Sequence, residues 1–211
     1  MQMHEPMTTL TDYVLAIVCI VLASQLFRLW RVERQRAVLL WGLALIATAL
    51  AALLGGTFHG FGEAVGERGA GLLWLGTTWS IGLASFALTV GSLFGAVRPP
   101  MRRWLIAVAA GKLVFYLIWM ISHDAFIYPI IDYGSSMIAV LLLCGIRWSD
   151  RAFRWLAAGI VTAFGASAIQ QARIGFGAAF DHNAVYHVIQ MGAVWLLYRG
   201  ARILRDRSEH Q

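Results

Sequence analysis

Four histidines, His59, His123, His182 and His187, stand at the edges of long apolar stretches in a chain that is 59% hydrophobic. Imidazole does two things near neutral pH that few side chains do: it donates a neutral nitrogen to a metal ion, and it takes up and releases a proton. Groups able to assist either chemistry stand close by in sequence. Glu63 follows His59 by one helical turn, Asp124 adjoins His123, and the stretch FDHNAVYHVIQ (180–190) adds Asn183, Tyr186 and Gln190 to His182 and His187. Ser167, Gln170 and Gln171 end the preceding apolar run. Lys112, the single lysine of the sequence, and Asp132 are charges placed well inside apolar runs.

These residues are carried on elements built for a membrane. Only 13% of the 211 residues are charged, and the mean hydropathy is +0.67, far from the composition of soluble domains. Seven apolar runs are each long enough to cross about 30 Å of hydrocarbon as helix. They cover about 13–32, 38–60, 71–97, 104–122, 125–146, 153–173 and 183–203, and the third is long enough to tilt. The connections are short and without Pro- or Ser-rich linkers, so residues 1–211 read as one all-α transmembrane domain, a seven-helix bundle. No internal repeat of the kind that builds many transporters is visible.

Arginine sets the orientation, because basic residues flanking membrane spans stay on the cytoplasmic side. Fourteen arginines fall on one side: 28, 31, 34 and 36; 98, 102 and 103; 147, 151 and 154; 199, 202, 205 and 207. Arg68 and Arg173 fall on the other. The amino terminus is therefore expected outside and the carboxyl terminus in the cytoplasm, in a multi-pass protein of the inner membrane if the source is bacterial. The net charge of +6 follows from this asymmetry, so a nucleic-acid partner is not called for. The first residues lack a basic n-region, and span one is expected to remain in the mature protein. Cys19 and Cys144 lie in different spans, and no disulfide between them is expected.

The topology turns the histidine list into geometry. His59 ends span two, His123 ends span four, and His182 and His187 begin span seven, all at the outer side; His4 and His210 lie in the termini. Gly55, His59 and Glu63 share one helical stripe, and Asn183, His187 and Gln190 stack on one face. His182 and His187, five residues apart, point about 140° from one another on an ideal helix. Asp124 and Asp181 each precede a helix and would serve as N-caps. Gly56 with Gly60, and Gly91 with Gly95, are small-xxx-small pairs suited to close helix packing. Trp30, Trp104, Trp148 and Trp155 fit an aromatic belt at the inner interface.

Imidazoles and carboxylates arriving from different helices are what zinc requires. A haem held by His59 and His187 is less favoured. Lys112 and Asp132 lie at comparable depth and are expected to pair, because isolated charges there are costly; a substrate or proton path is the alternative. Retinal is not favoured, since no lysine occurs in span seven.

Seven helices with the amino terminus outside, GGTFHGF (55–61) near the end of span two and HNAVYHVIQ (182–190) opening span seven resemble the CREST superfamily of membrane hydrolases. That superfamily includes alkaline ceramidases and adiponectin-receptor-like proteins. The resemblance covers the topology and these two motifs. It implies a zinc ion held by one histidine of helix two and two of helix seven, hence His59 and His187, with His182 as the third through a distorted turn. The spacing H-x-x-x-H of the superfamily falls on Asn183, its helix-two serine on Gly55 with Thr57 the nearest hydroxyl, and its aspartate on Ala70. Glu63, Asp124 or Asp132 would then replace that acid.

Three classes of function follow. In the first, a zinc-dependent hydrolase cleaves a lipid amide or ester, with His59, His187 and His182 on the metal and Glu63 or Asp132 as general base. Asn183, Tyr186, Gln190, His123, Asp124 and Gln170 would line its outward pocket. The second is a non-enzymatic binding or transport bundle, and the third an assembly subunit whose polar cluster knits helix ends together. Membrane lipids are the expected partners in each, and the residues do not indicate an oligomeric state.

Overall fold

The computed structural model describes residues 5–177 and 180–208; His4 and His210 lie outside them. Seven α-helices follow one another: α1 Pro6–Glu33, α2 Arg36–Phe61, α3 Gly66–Ala96, α4 Pro99–Trp119, α5 Ile127–Ile146, α6 Arg151–Gln171 and α7 His182–Ala201. Five of them, α1, α2, α3, α5 and α6, are long and apolar enough to cross a membrane. The other two are of similar length, 21 and 20 residues. They are interrupted by polar side chains, Arg102, Arg103 and Lys112 in α4, and His182, Asn183, His187 and Gln190 in α7.

Six helices close into a ring, in the order α1, α2, α3, α5, α6, α7 and back to α1. The seventh, α4, stands outside it and packs principally on α3, with Tyr116 its one buried residue. The interior is filled by Leu26, Trp41, Met137, Phe153 and Leu204 among others, each almost fully enclosed. The outward faces are also apolar, with Ile17, Leu43, Val108, Phe115, Leu142 and Val161 exposed. Apolar surface inside and out is the pattern of a helix bundle whose solvent is lipid.

The largest departure from the expected elements is at α1, which begins at Pro6 rather than near Tyr13. Proline at the first helical position costs no hydrogen bond. The following Thr8, Thr9, Thr11 and Asp12 are all buried, because this extra length of helix lies against α2 and α7. Glycine permits the approach. A Cβ on Gly56 would sit 2.8 Å from Asp12 Cβ, and one on Gly60 would sit 2.8 Å from Thr9 Oγ1. The second glycine pair works in the same way, Gly91 against Trp41 and Gly95 against Leu204.

The cytoplasmic end, as the arginines assign it, is tied by the segment after α7. Asp206 accepts the backbone amides of Arg36 and Ala37 at 2.7 and 2.8 Å, capping α2 from 170 residues away in sequence. Arg207 donates to the carbonyls of Phe94 and Ala96 near the end of α3. Donors and acceptors that a helix end leaves unmatched are thereby paired. Of the four tryptophans expected at this level, Trp30, Trp104 and Trp155 carry arginines, Arg34, Arg103 and Arg199, over their rings.

Replacing Gly56 by alanine should cost about 1–3 kcal/mol, the usual penalty for overfilling a close contact, and lower the unfolding midpoint in detergent. Gly111→Ala, where nothing lies within 4 Å, should be neutral or gain up to about 1 kcal/mol in helix propensity. Equal midpoints for the two variants would mean that α1 and α2 do not approach this closely.

Candidate functional site

At the opposite end of the bundle α1, α2 and α7 bring two acid–imidazole pairs together. His59 Nδ1 lies 3.0 Å from Glu5 Oε2, and His187 Nε2 lies 3.2 Å from Asp12 Oδ1. The pairs differ in access. The side chains of His59 and Glu5 are 29% and 45% exposed, those of His187 and Asp12 only 10% and 7%. The two acids come from the start of α1 and the two imidazoles from α2 and α7, so three helices meet at this end of the bundle.

His187 is held at both ring nitrogens. Its Nδ1 is 3.0 Å from Thr11 Oγ1, a hydroxyl that also lies 2.9 Å from Met7 O and 3.0 Å from Thr8 O. The hydroxyl has one hydrogen for these acceptors. When that hydrogen points to a carbonyl, Nδ1–H donates to Thr11 and the His187–Asp12 contact needs a proton of its own. When it points to Nδ1, the Nε2–H donates to Asp12. Rotation of one hydroxyl therefore moves the position at which this buried pair carries its proton.

The neighbouring polar groups fix the start of α7. Asp181 caps the helix by accepting from Ala184 N at 2.9 Å, as expected of it, and both its oxygens lie 3.4 Å from the Thr8 hydroxyl. Asn183 accepts from Gln170 of α6 at 2.9 Å. Tyr186 stands edge-on to His187. Gln190 is buried, and its Oε1 meets no hydrogen-bond partner among the described residues. On α2, Thr57 donates to Leu53 O and receives Tyr13 of α1.

Several expected members stand elsewhere. His123 Nδ1 donates to Trp119 O at 2.9 Å while its ring stacks on Trp119 and meets Tyr128 edge-on, which ties it to α4 and α5. Asp124 does not cap α5, which corrects the N-cap expectation. The helix starts at Ile127 behind Phe126, with no side-chain cap, and Asp124 instead accepts Trp74 Nε1 at its carbonyl. Pro129 in the first turn of α5 leaves that helix one amide fewer to cap. Asp124 lines a separate hollow of about 490 Å³ with Phe58, Trp74 and Met120. Glu63 is exposed in the turn after α2, and His182 is the first residue of α7.

The outward site is therefore built from α1, α2 and α7 with an edge of α6, in place of the expected grouping of spans two, four, six and seven. Glu5, Thr8, Thr11 and Asp12 were not among the expected site residues. Their one signal is the spacing of MTTLTDY behind a proline, with Thr8, Thr11 and Asp12 at i, i+3 and i+4.

A second polar group lies on the far side of the ring. Lys112 Nζ is 2.9 Å from Asp132 Oδ1, 2.6 Å from Asp132 O and 2.7 Å from Ser136 Oγ. Ser136 and Ser85 share a hydrogen bond of 2.7 Å. These residues end a lateral cleft of about 380 Å³ between α3, α4 and α5. Asp132 thus belongs to α3–α5 and not to the histidine centre.

The chain belongs to a family of unknown function, DUF6962. The model of that family matches residues 7–206, which takes in Asp12, His59, His187 and the capping Asp206 and begins just after Glu5. No curated protein matches the chain, and no solved structure does.

If the contact at His187 is what holds α7 to α1, a double-mutant cycle of Asp12→Ala and His187→Ala should return a coupling of about 0.5–3 kcal/mol in unfolding free energy. Additive losses would show that the two side chains are neighbours without energetic linkage.

Proposed function

We propose that this DUF6962 protein is a membrane-embedded hydrolase of an acyl lipid, cleaving an amide or ester at the outer ends of α1, α2 and α7. One observation carries the reading: a carboxylate, Glu5, holds the Nδ1 side of His59 at 3.0 Å. With a carboxylate accepting at Nδ1, that nitrogen carries the hydrogen, and the neutral form of the ring then has its lone pair on Nε2. A partly exposed imidazole oriented in this way is a general base for water. The buried Asp12–His187 pair beside it adds a second acid–base group within electrostatic reach. In hydrolysis, His59 takes a proton from water as the oxygen attacks the acyl carbon. The same imidazolium then returns a proton to the departing nitrogen or oxygen, which balances the reaction. Apolar outer faces keep the acyl chains in the bilayer while the scissile bond meets the centre.

The resemblance to CREST hydrolases supports the same reaction class and implies zinc. The donor atoms of Glu5, Asp12, His59 and His187 are of the right chemistry. They stand as two pairs, however, and no group of three His, Cys, Asp or Glu among the described residues is placed to hold a metal ion. His182 does not join His59 and His187 in such a group. The arrangement therefore does not fit zinc as it stands, and the proton steps above use protein groups alone.

Purified protein in lipid nanodiscs should release fatty acid from an N-acyl sphingoid or an acylglycerol. His59→Ala should slow that release by about 10²–10⁴-fold, the range for loss of a positioned general base, and Glu5→Gln by less. Metal content measured on the same preparations would show whether zinc accompanies activity. Folded wild-type protein that turns over neither lipid class, with and without added zinc, sinks the proposal.

A further inference from the structure

The cleft between α3, α4 and α5 plays no part in the proposed reaction, and its chemistry is specific. It exists because α4 leans on α3 outside the ring, leaving a gap toward α5 that Lys112 bridges at its polar end. Its polar end holds Lys112, Asp132, Ser85 and Ser136; its walls are Phe86, Leu93, Val108, Leu142 and other apolar residues. Asp132 lies five residues into α5, about 7 Å of helix below the outer end, and Lys112 seven residues before the end of α4, about 10 Å. From there the lining runs inward, Ser85 to Leu93 on α3 and Asp132 to Leu143 on α5, a length of about 12–16 Å at 1.5 Å per residue. The cleft is thus polar just below the level of the lipid headgroups and apolar toward the bilayer centre.

Counting hydrogens at the polar end shows what is missing. The three hydrogens of Lys112 face four acceptors, Asp132 O, Ser136 Oγ and Asp132 Oδ1 at 2.6–2.9 Å and Ser85 Oγ at 3.4 Å. Ser135 also donates to Asp132 O. Ser85 and Ser136 spend one hydroxyl hydrogen between them, and the second has no acceptor among the described residues. On the other side, Asp132 is 6% exposed and its Oδ2 is buried with no hydrogen-bond partner among the described residues. The site therefore offers one free acceptor on a carboxylate and one free hydroxyl donor, within a cluster whose charges already cancel. An alcohol supplies the complement of both: its O–H donates to Asp132 Oδ2 and its oxygen accepts from the serine pair. A carboxylate head would bring charge against Asp132 without a hydrogen to give it, and an ester head would leave Oδ2 unmatched.

We propose that the α3–α4–α5 cleft is a binding site for an uncharged membrane lipid with a hydroxyl head on a long apolar body, entered sideways from the outer leaflet. The site is independent of the hydrolase reading and of the histidine centre.

The test is photolabelling of the full chain in nanodiscs by three diazirine-bearing C16 probes that differ only in the head: alcohol, carboxylic acid and methyl ester. The alcohol should label residues 82–93, 105–113 and 135–143 about tenfold more than either other head, the factor that one hydrogen bond to a carboxylate contributes. Unlabelled hexadecanol should compete. Asp132→Asn should abolish the preference among heads, and Ala139→Trp, which fills the cleft, should remove the labelling by all three. Equal labelling by the three heads would mean that bulk lipid fills the gap, and a preference for the acid would mean that Lys112 acts as an anion site. Either result overturns the proposal, as does undiminished labelling of a folded Ala139→Trp variant. Hydrolase activity is read separately on the same samples, so loss of one property leaves the other standing.

Discussion

The distance between α1 and α2 is the constraint on which the outer end of this protein depends. Gly56 and Gly60 let the two backbones meet where any Cβ would collide with Asp12 or Thr9. Without a hydrophobic drive between helices in lipid, such close packing is what holds them together. Two consequences follow from the same contact. Asp12 is pressed inward to meet His187 of α7, and Glu5, at the head of the helix, is brought over His59 of α2. One stripe of small residues thus assembles both acid–imidazole pairs from three separate helices.

The two polar groups of the molecule are arranged on opposite principles. At the histidine centre both ring nitrogens of His187 are held by its own protein, while His59 is held at Nδ1 and its side chain is 29% exposed. In the proposed hydrolysis, that would set an accessible imidazole beside a fixed one. At Lys112 the charges are cancelled and the deficit is a single oxygen and a single hydrogen. That division suits recognition of a neutral molecule, since a cluster without net charge neither attracts nor repels at long range.

Much of the architecture was legible in the sequence. Length and hydropathy gave the number and order of helices, and the glycine pairs and the Asp181 cap could be read from local spacing. What escaped was decided by tertiary contact. MTTLTDY is too polar for a hydropathy window, yet it is helical because α7 supplies partners for Thr8, Thr11 and Asp12. The acids of the site therefore came from the polar residues ahead of the apolar run of span one, while Glu63, which looked well placed beside His59, lies in an exposed turn. Asp124 had the position of a cap, but two further residues of turn separate it from α5. His123 shares an end of the bundle with His59, and only the packing of α4 outside the ring shows that it is not at the same centre.

The capping of α2 by Asp206 sets an order of events in biogenesis. The first amides of α2 emerge from the ribosome 170 residues before the carboxylate that matches them. During synthesis the first turn of α2 must rely on water or lipid headgroups for those amides, and α3 likewise lacks the partner that Arg207 later gives its final carbonyls. Insertion of the helices and closure of the bundle are for that reason separate stages. The ring becomes fully fastened at its arginine-rich end only after α7 is in place and the short strap behind it has folded back across α2 and α3.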